Sequence, residues 1–295
     1  MHRVLSNKWA IFWMVFPGLA VFCFAVFIPL FYSMFLGMTD WKGYGEIHVV
    51  GLKNFADILF HDPIFGVSLK NALLLAILTM LVQHPVALLF AYLIAKVGGR
   101  REKLFRTLFF VPCVISTVVT SRMWVAFLNP TYGLVNNFLK HAGLGFLQTD
   151  WLSNQKTAIY ALIFIIMWQG FGWALLIYYS GIKGLPKDIM EAAKVDGANG
   201  ARLLWHITLP LLRPVIVVNL TVALISSFKQ METIFLTTNG GPGNTTQFVA
   251  NYLYVEAFSA QKYGYANAIS VLFVAICILA TVILNKALKR EAIES

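Results

Sequence analysis

Charge is what this sequence has least of. Only 12% of its 295 residues are Asp, Glu, Lys or Arg, against about 25% in an ordinary soluble domain. That scarcity excludes water as the solvent for most of the surface. Cysteine is nearly absent as well. Cys23, Cys113 and Cys277 lie inside apolar runs, far from any CxxC or Cys/His spacing. A disulfide framework and a zinc site are excluded, and the three thiols are expected as small buried hydrophobes. The sequence has no G-x-x-x-x-G-K-[ST] to cradle phosphates, no H-E-x-x-H, no G-x-S-x-G and no paired Cys/His set. Catalytic residues, a metal site and a nucleotide-binding loop are therefore not expected in this chain. The net charge is +10, yet no basic stripe interleaves with aromatics, so no nucleic-acid partner is expected. No repeat of 20–50 residues and no low-complexity tract is visible.

What is present is apolar length. Hydrophobic residues make up 59% of the chain and the mean hydropathy is +0.72. The length alone suits roughly two soluble domains of about 150 residues each, but the apolar runs override that prior. A helix needs about 20 apolar residues to cross the hydrocarbon core. Six stretches meet or approach this: residues 9–38, 71–95, 104–128, 157–182, 211–236 and 263–285. The chain is therefore expected to be all-α, a single polytopic transmembrane domain over residues 1–295 embedded in a lipid bilayer. The first stretch is far longer than the roughly 7–15-residue core of a signal peptide, and no A-x-A site follows it, so it is expected to be an uncleaved helix.

Lys and Arg set the orientation. With the N-terminus inside, fifteen of the 23 fall on the cytoplasmic side, from Arg3 and Lys8 through the cluster Lys96, Arg100, Arg101, Lys103 to Lys289 and Arg290. Six fall outside: Lys42, Lys53, Lys70, Lys140, Lys156 and Lys262. Both termini are expected in the cytoplasm. The outer loops carry Trp41, Tyr44, Trp151 and other aromatics, which suits an interfacial belt, and Asn239-Gly240-Gly241-Pro242-Gly243 is a turn signal.

The longest inside connection, residues 183–213, is helix-patterned. Pro186 can open a helix, and Asp188 and Glu191 suit the positive end of its dipole. Gly197 can turn the chain by adopting positive φ. Ala201 to Ile207 can form a second short helix before Pro210 and Pro214. Within this segment, Glu191-Ala192-Ala193-Lys194-Val195-Asp196-Gly197-Ala198, followed by Ile207-Thr208-Leu209-Pro210, resembles the EAA loop. That loop marks the membrane subunits of binding-protein-dependent ABC importers. Leu204 departs from the pattern, since many relatives carry Phe there, a change between apolar residues of similar volume. Gly51-Leu52-Lys53-Asn54-Phe55, Leu236-Thr237-Thr238-Asn239-Gly240-Gly241-Pro242 and Gly264-Tyr265-Ala266 resemble segments of the maltose-type sugar-permease branch. The likeness runs nearly the full length.

The resemblance implies the type I transmembrane-domain fold of ABC importers, with six transmembrane helices. It implies two cytoplasmic ATPase subunits that bind ATP and Mg, a second homologous permease, and an extracytoplasmic solute-binding protein. It implies a prokaryotic cytoplasmic membrane and a carbohydrate as cargo, with glycerol phosphate or another polyol ester as the alternative. Glu191, Ala192, Ala193, Asp196, Gly197, Ala198, Ile207, Leu209 and Pro210 are implied in coupling to the ATPase. Ala192 and Ala193 permit close packing, and Glu191 offers a charge to a basic partner.

Polar groups inside a span are costly and are expected to face a pore or another helix. In the fourth span Trp168, Gln169 and Trp173 are candidates. Gln169 and Trp173 share a face at i, i+4, and an indole beside an amide suits the C–H faces and hydroxyls of a sugar. Plain helix packing explains the same residues. In the fifth span Asn219, Lys229, Gln230 and Glu232 are candidates, with Lys229 and Glu232 also able to pair with each other at i, i+3. Arg122 can snorkel outward. His84-Pro85 marks a kink, or a proton relay through His84.

Overall fold

The computed structural model describes residues 8–288; Arg3, Lys289 and Arg290 of the charge argument lie outside the described residues. Among the described residues the only non-helical pairing is one isolated bridge, Thr39 to Val49. Apolar runs in hydrocarbon fold this way because only a helix satisfies every backbone group within its own segment.

The chain divides into two compact units. The first comprises residues up to Asp62 together with Leu253–Ile276. Its leading element, α1, is apolar over Ile11–Gly37, with a π turn at Cys23–Phe27. None of the most apolar 18-residue window of α1 is buried within the chain. Short helix α2, Lys53–Phe60, follows. The Gly51–Phe55 motif closes α1: Asn54 Nδ2 donates to the carbonyls of Gly37 at 2.9 Å and Thr39 at 2.8 Å. Gly51 takes φ +65° at the turn. Gly264 donates its N–H to Trp41 O at 2.9 Å, and a Cβ there would lie 2.1 Å from Thr39 O. The motif glycine is thus where two backbones touch.

The second unit comprises Pro63–Tyr252 and the chain from Cys277 onward. It holds α3, Pro63–Val97; α4, Gly99–Val114; α5, Thr117–Phe127; α6, Leu134–His141; α7, Ala158–Lys183; and α8, Lys187–Val195. It continues with α9, Gly200–Phe228, and α10, Glu232–Thr237. Helix α11, Tyr263–Leu288, ends the described chain. Among the described residues five helices are long and apolar enough to cross a membrane, and the bent pair α4–α5, taken as one span, brings the number to six.

The third expected span, residues 104–128, is not one rod. Helices α4 and α5 meet at 93°. Pro112 lies in the last turn of α4, Ile115 is extended, and Ser116 restarts the chain as an N-cap, its hydroxyl accepting from the Val119 N–H at 3.4 Å. Proline removes a backbone donor and the cap supplies a new helix start, so the bend has a local cause. The fifth expected span, residues 211–236, is also interrupted. Helix α9 stops at Phe228, and α10 begins at Glu232. At its other end α9 begins at Gly200 and runs through a π turn at Leu204–Thr208, so Ala201–Ile207 belongs to this long helix and forms no separate one.

The core of this unit lies where α3 meets α7, around Ala87, Ala91, Ala174, Leu175 and Tyr178. Small residues let membrane helices approach closely. Gly172 shows how closely: a Cβ there would sit 2.4 Å from Phe109 O on α4. The pair His84-Pro85 does not break α3. A π turn at Thr79–Gln83 precedes it, and His84 Nδ1 lies 2.7 Å from Tyr178 Oη.

Candidate functional site: a polar cavity between broken helices

The two interruptions and α7 line a common space. Between them lies a cavity of about 450 Å³. The break in the third span contributes Cys113 and Thr117; α7 contributes Ile166, Gln169, Gly170 and Trp173. Helix α9 contributes Ser226, the interruption after it Lys229, Gln230 and Met231, and α10 adds Glu232 and Thr233. A second cavity of about 340 Å³ shares Ile166, Gly170, Trp173, Ser226 and Gln230 with the first. It is lined further by Thr79, Gln83, His84, Asn219 and Ser227.

The geometry explains how a break in hydrocarbon is tolerated. A bend frees backbone carbonyls, and each must find a donor. Gln169 Nε2 donates to Ile115 O at 3.0 Å, at the corner between α4 and α5. Cys113 Sγ donates to Gln169 O at 2.8 Å. Gln169 is thus both a cavity wall and the clasp of the corner. Gln83 Nε2 donates to Met167 O at 3.1 Å, and Asn219 Nδ2 to Ala174 O at 3.3 Å, so two more amides fix α3 and α9 to α7. Trp173 is 60% exposed, stands edge-on to Phe110 at 6.1 Å and lines both cavities.

Six of the seven expected pathway residues converge here: Gln169, Trp173, Asn219, Lys229, Gln230 and Glu232. Trp168 does not. It turns to the opposite side of α7, packs edge-on to Trp124 at 5.4 Å and borders a separate apolar cleft. Lys229 and Glu232 are not an i, i+3 helical pair, because α9 ends at Phe228 and α10 begins only at Glu232; among the described residues no ion pair joins them. Arg122 is exposed on α5. The cysteines are half-buried rather than buried, and Cys113 is part of the cavity.

Sequence reasoning missed Thr79, Gln83, Ser226 and Ser227. The signal was there: Asn219, Ser226, Ser227 and Gln230 recur at helical spacing on one face, as do Thr79 and Gln83 at i, i+4. Among the described residues no group of three or more His, Cys, Asp or Glu is placed to hold a metal ion.

The 183–213 segment lies at the far end of α7. Asp188 sits in the first turn of α8, and Glu191, Ala192 and Asp196 are exposed. Ala193 is buried against the chain itself. Gly197 has φ +82°, and the Ala198 N–H returns to Ala193 O at 2.9 Å, the closing turn of α8. Ile207 belongs to the π turn, and Leu209 and Pro210 follow it in α9. Val195 is 88% exposed, an apolar side chain with nothing over it in this chain.

Known proteins share this arrangement. Residues 83–292 match the family described as "Binding-protein-dependent transport system inner membrane component". The diacetylchitobiose uptake system permease protein NgcF of Streptomyces coelicolor is 33% identical over 296 residues, covering 94% of this chain and 82% of that protein. The multiple sugar-binding transport system permease protein MsmF of Streptococcus mutans is 31% identical, covering 99% of each. A crystal structure of a bacterial ABC transporter involved in the import of the acidic polysaccharide alginate superposes with a TM-score of 0.81 at 25% identity, covering 99% of both chains. A second, of a bacterial alginate ABC transporter in complex with an alginate pentasaccharide-bound periplasmic protein, gives 0.80 over 96% of this chain. The chain is a multi-pass membrane protein and belongs to the family of binding-protein-dependent ABC importer permeases.

Proposed function

We propose that this chain is a permease subunit of an ATP-driven importer that moves a carbohydrate across the cytoplasmic membrane by alternating access. The observation that carries the reading is the cavity between the two broken helices. It sets an exposed indole, Trp173, beside amides and hydroxyls from Gln169, Gln230, Ser226 and Thr233. A sugar presents the matching surfaces, apolar C–H faces for the ring and hydroxyls for the amides. The curated relatives named for sugar uptake support the same cargo. A phosphate ester is less well served. Among the described residues Lys229 is the only Lys or Arg lining this cavity, and Glu232 lines it too.

ATP hydrolysis belongs to two separate cytoplasmic subunits that hold ATP and Mg, since this chain has no phosphate-cradling sequence. A second permease completes the pathway, and an extracytoplasmic binding protein delivers the solute. Both termini lie in the cytoplasm. Exposed Glu191 and Ala192, with Val195 beside them, form the face that docks on the ATPase, while Asp196, Gly197 and Ala198 close the turn that leads into Ile207, Leu209 and Pro210.

Uptake of a panel of labelled mono- and oligosaccharides by the reconstituted transporter tests the cargo. Trp173→Ala is expected to lower uptake of the accepted sugar at least 10-fold, and Trp168→Ala less than 2-fold. Equal effects of the two would remove the cavity from the pathway. Loss of the ATPase from a pull-down with Glu191→Lys tests the docking face.

A further inference from the structure

The 183–200 segment, which holds α8 of the coupling region, is tied at both ends to one turn of one helix. At its start, Lys183 is the last residue of α7. Its Nζ donates to Ala95 O of α3 at 3.1 Å and pairs with Glu102 Oε1 at 3.1 Å. Glu102 sits in the first turn of α4 and also accepts from the Tyr179 hydroxyl. The carboxylate is mostly covered, its side chain 14% exposed, and the Arg106 guanidinium lies 5.2 Å from the centre of the Tyr179 ring. At the segment's other end, the Tyr92 hydroxyl donates to Gly200 O at 3.0 Å, where α9 begins. Tyr92 is 5% exposed. Tyr92 and Ala95 are one helical turn apart on α3.

These contacts make two struts. Helix α8 hangs between Lys183 and Gly200, and both are fixed to the last turns of α3. The same α3 carries Thr79, Gln83 and His84 along the second cavity. Helix α4, which carries Glu102 in its first turn, carries Cys113 in its last turn, in the wall of the first cavity. A push on α8 therefore meets helix ends whose other portions line the solute cavity. Buried or half-buried polar contacts with two discrete partners are the kind of element through which such displacement is carried.

We propose that Glu102, with Tyr179 and Lys183, and Tyr92 on Gly200 are positioning residues for energy coupling: they convert movement of α8 into movement of α3 and α4. The proposal rests on residues 183–213 being the ATPase-coupling segment. None of the four lines either cavity.

The test is the ratio of ATP hydrolysed to solute imported, measured on the complete transporter with its ATPase, second permease and binding protein in proteoliposomes. A merely structural defect lowers the two in proportion. Glu102→Gln and Tyr92→Phe are expected to assemble normally and to keep ATP hydrolysis within 2-fold, while uptake falls at least 5-fold and the ratio rises accordingly. Tyr179→Phe, which deletes one hydroxyl, is expected to raise the ratio at least 2-fold and is the readout if Glu102→Gln does not assemble. An unchanged ratio in Tyr92→Phe and in whichever of the other two assembles overturns the proposal. Glu191→Lys separates this from failure of the coupling reading: if that variant keeps its ATPase and its ratio, the segment itself is not the coupling element.

Discussion

Gly172→Ala is the sharpest test of the packing that holds the broken third span. The new methyl would stand 2.4 Å from Phe109 O, 2.9 Å from Phe110 Cα and 2.9 Å from Cys113 Sγ. Two of these are backbone atoms, so α4 has to retreat bodily rather than turn a side chain aside. Overpacking of this kind costs about 1–3 kcal/mol. Retreat of α4 also stretches the Gln169–Ile115 and Cys113–Gln169 bonds, each worth about 0.6 kcal/mol inside a membrane. The sum is about 2–4 kcal/mol. Helix propensity works the other way, by up to about 1 kcal/mol for Gly to Ala, and a neighbouring glycine removes it from the comparison. Gly170 lies two residues away on the same helix, and a Cβ there would meet only Gln83 Nε2 at 3.4 Å. Gly170→Ala is therefore expected to be neutral or slightly stabilising. The assay is the apparent thermal midpoint of the two variants in nanodiscs at one scan rate. Gly172→Ala is expected to melt several degrees below Gly170→Ala. Equal midpoints would refute the close approach of α4 to α7.

Two further outcomes follow from the same structure. Cys113 lines the cavity whereas Cys23 and Cys277 do not, so a small charged thiol reagent is expected to lower uptake at least 5-fold, with excess solute protecting and Cys113→Ser insensitive; equal inhibition of Cys113→Ser would contradict this. Gly240 holds φ +86°, and a Cβ there would lie 2.6 Å from the Gln247 side chain. Gly240→Ala is expected to cost about 1–2 kcal/mol from the left-handed backbone alone and to speed hydrogen exchange across residues 237–251. Unchanged exchange there would show that the loop adapts without strain.

The glycine case shows what motifs mean physically. Leu236–Pro242 reads in sequence as a turn, and the stretch that follows it is tied to an earlier helix by Asn71. That side chain donates to Thr245 O at 2.9 Å and Gln247 O at 2.8 Å, from a helix more than 170 residues earlier. Nothing local to either segment announces that pairing.

The sequence by itself determined that the chain is a multi-pass membrane protein, because about 20 apolar residues in a row have no other stable solvent and no other way to satisfy their backbone. It determined the family through the Glu191–Pro210 segment, a local pattern that survives without knowledge of neighbours. Only the tertiary structure decided which polar residues meet. Trp168 and Trp173 are five positions apart on one helix, yet one faces an apolar cleft and the other the polar cavity. Hydropathy cannot make that choice, because in lipid both sides of a helix are apolar and its rotation is set by packing against neighbours. The break at Ile115 gives no hydropathy signal, and the polar Lys229-Gln230-Met231-Glu232 stretch does not by itself show that one helix stops and another starts there. At Ile115 the break persists because Gln169 Nε2 donates to the freed carbonyl.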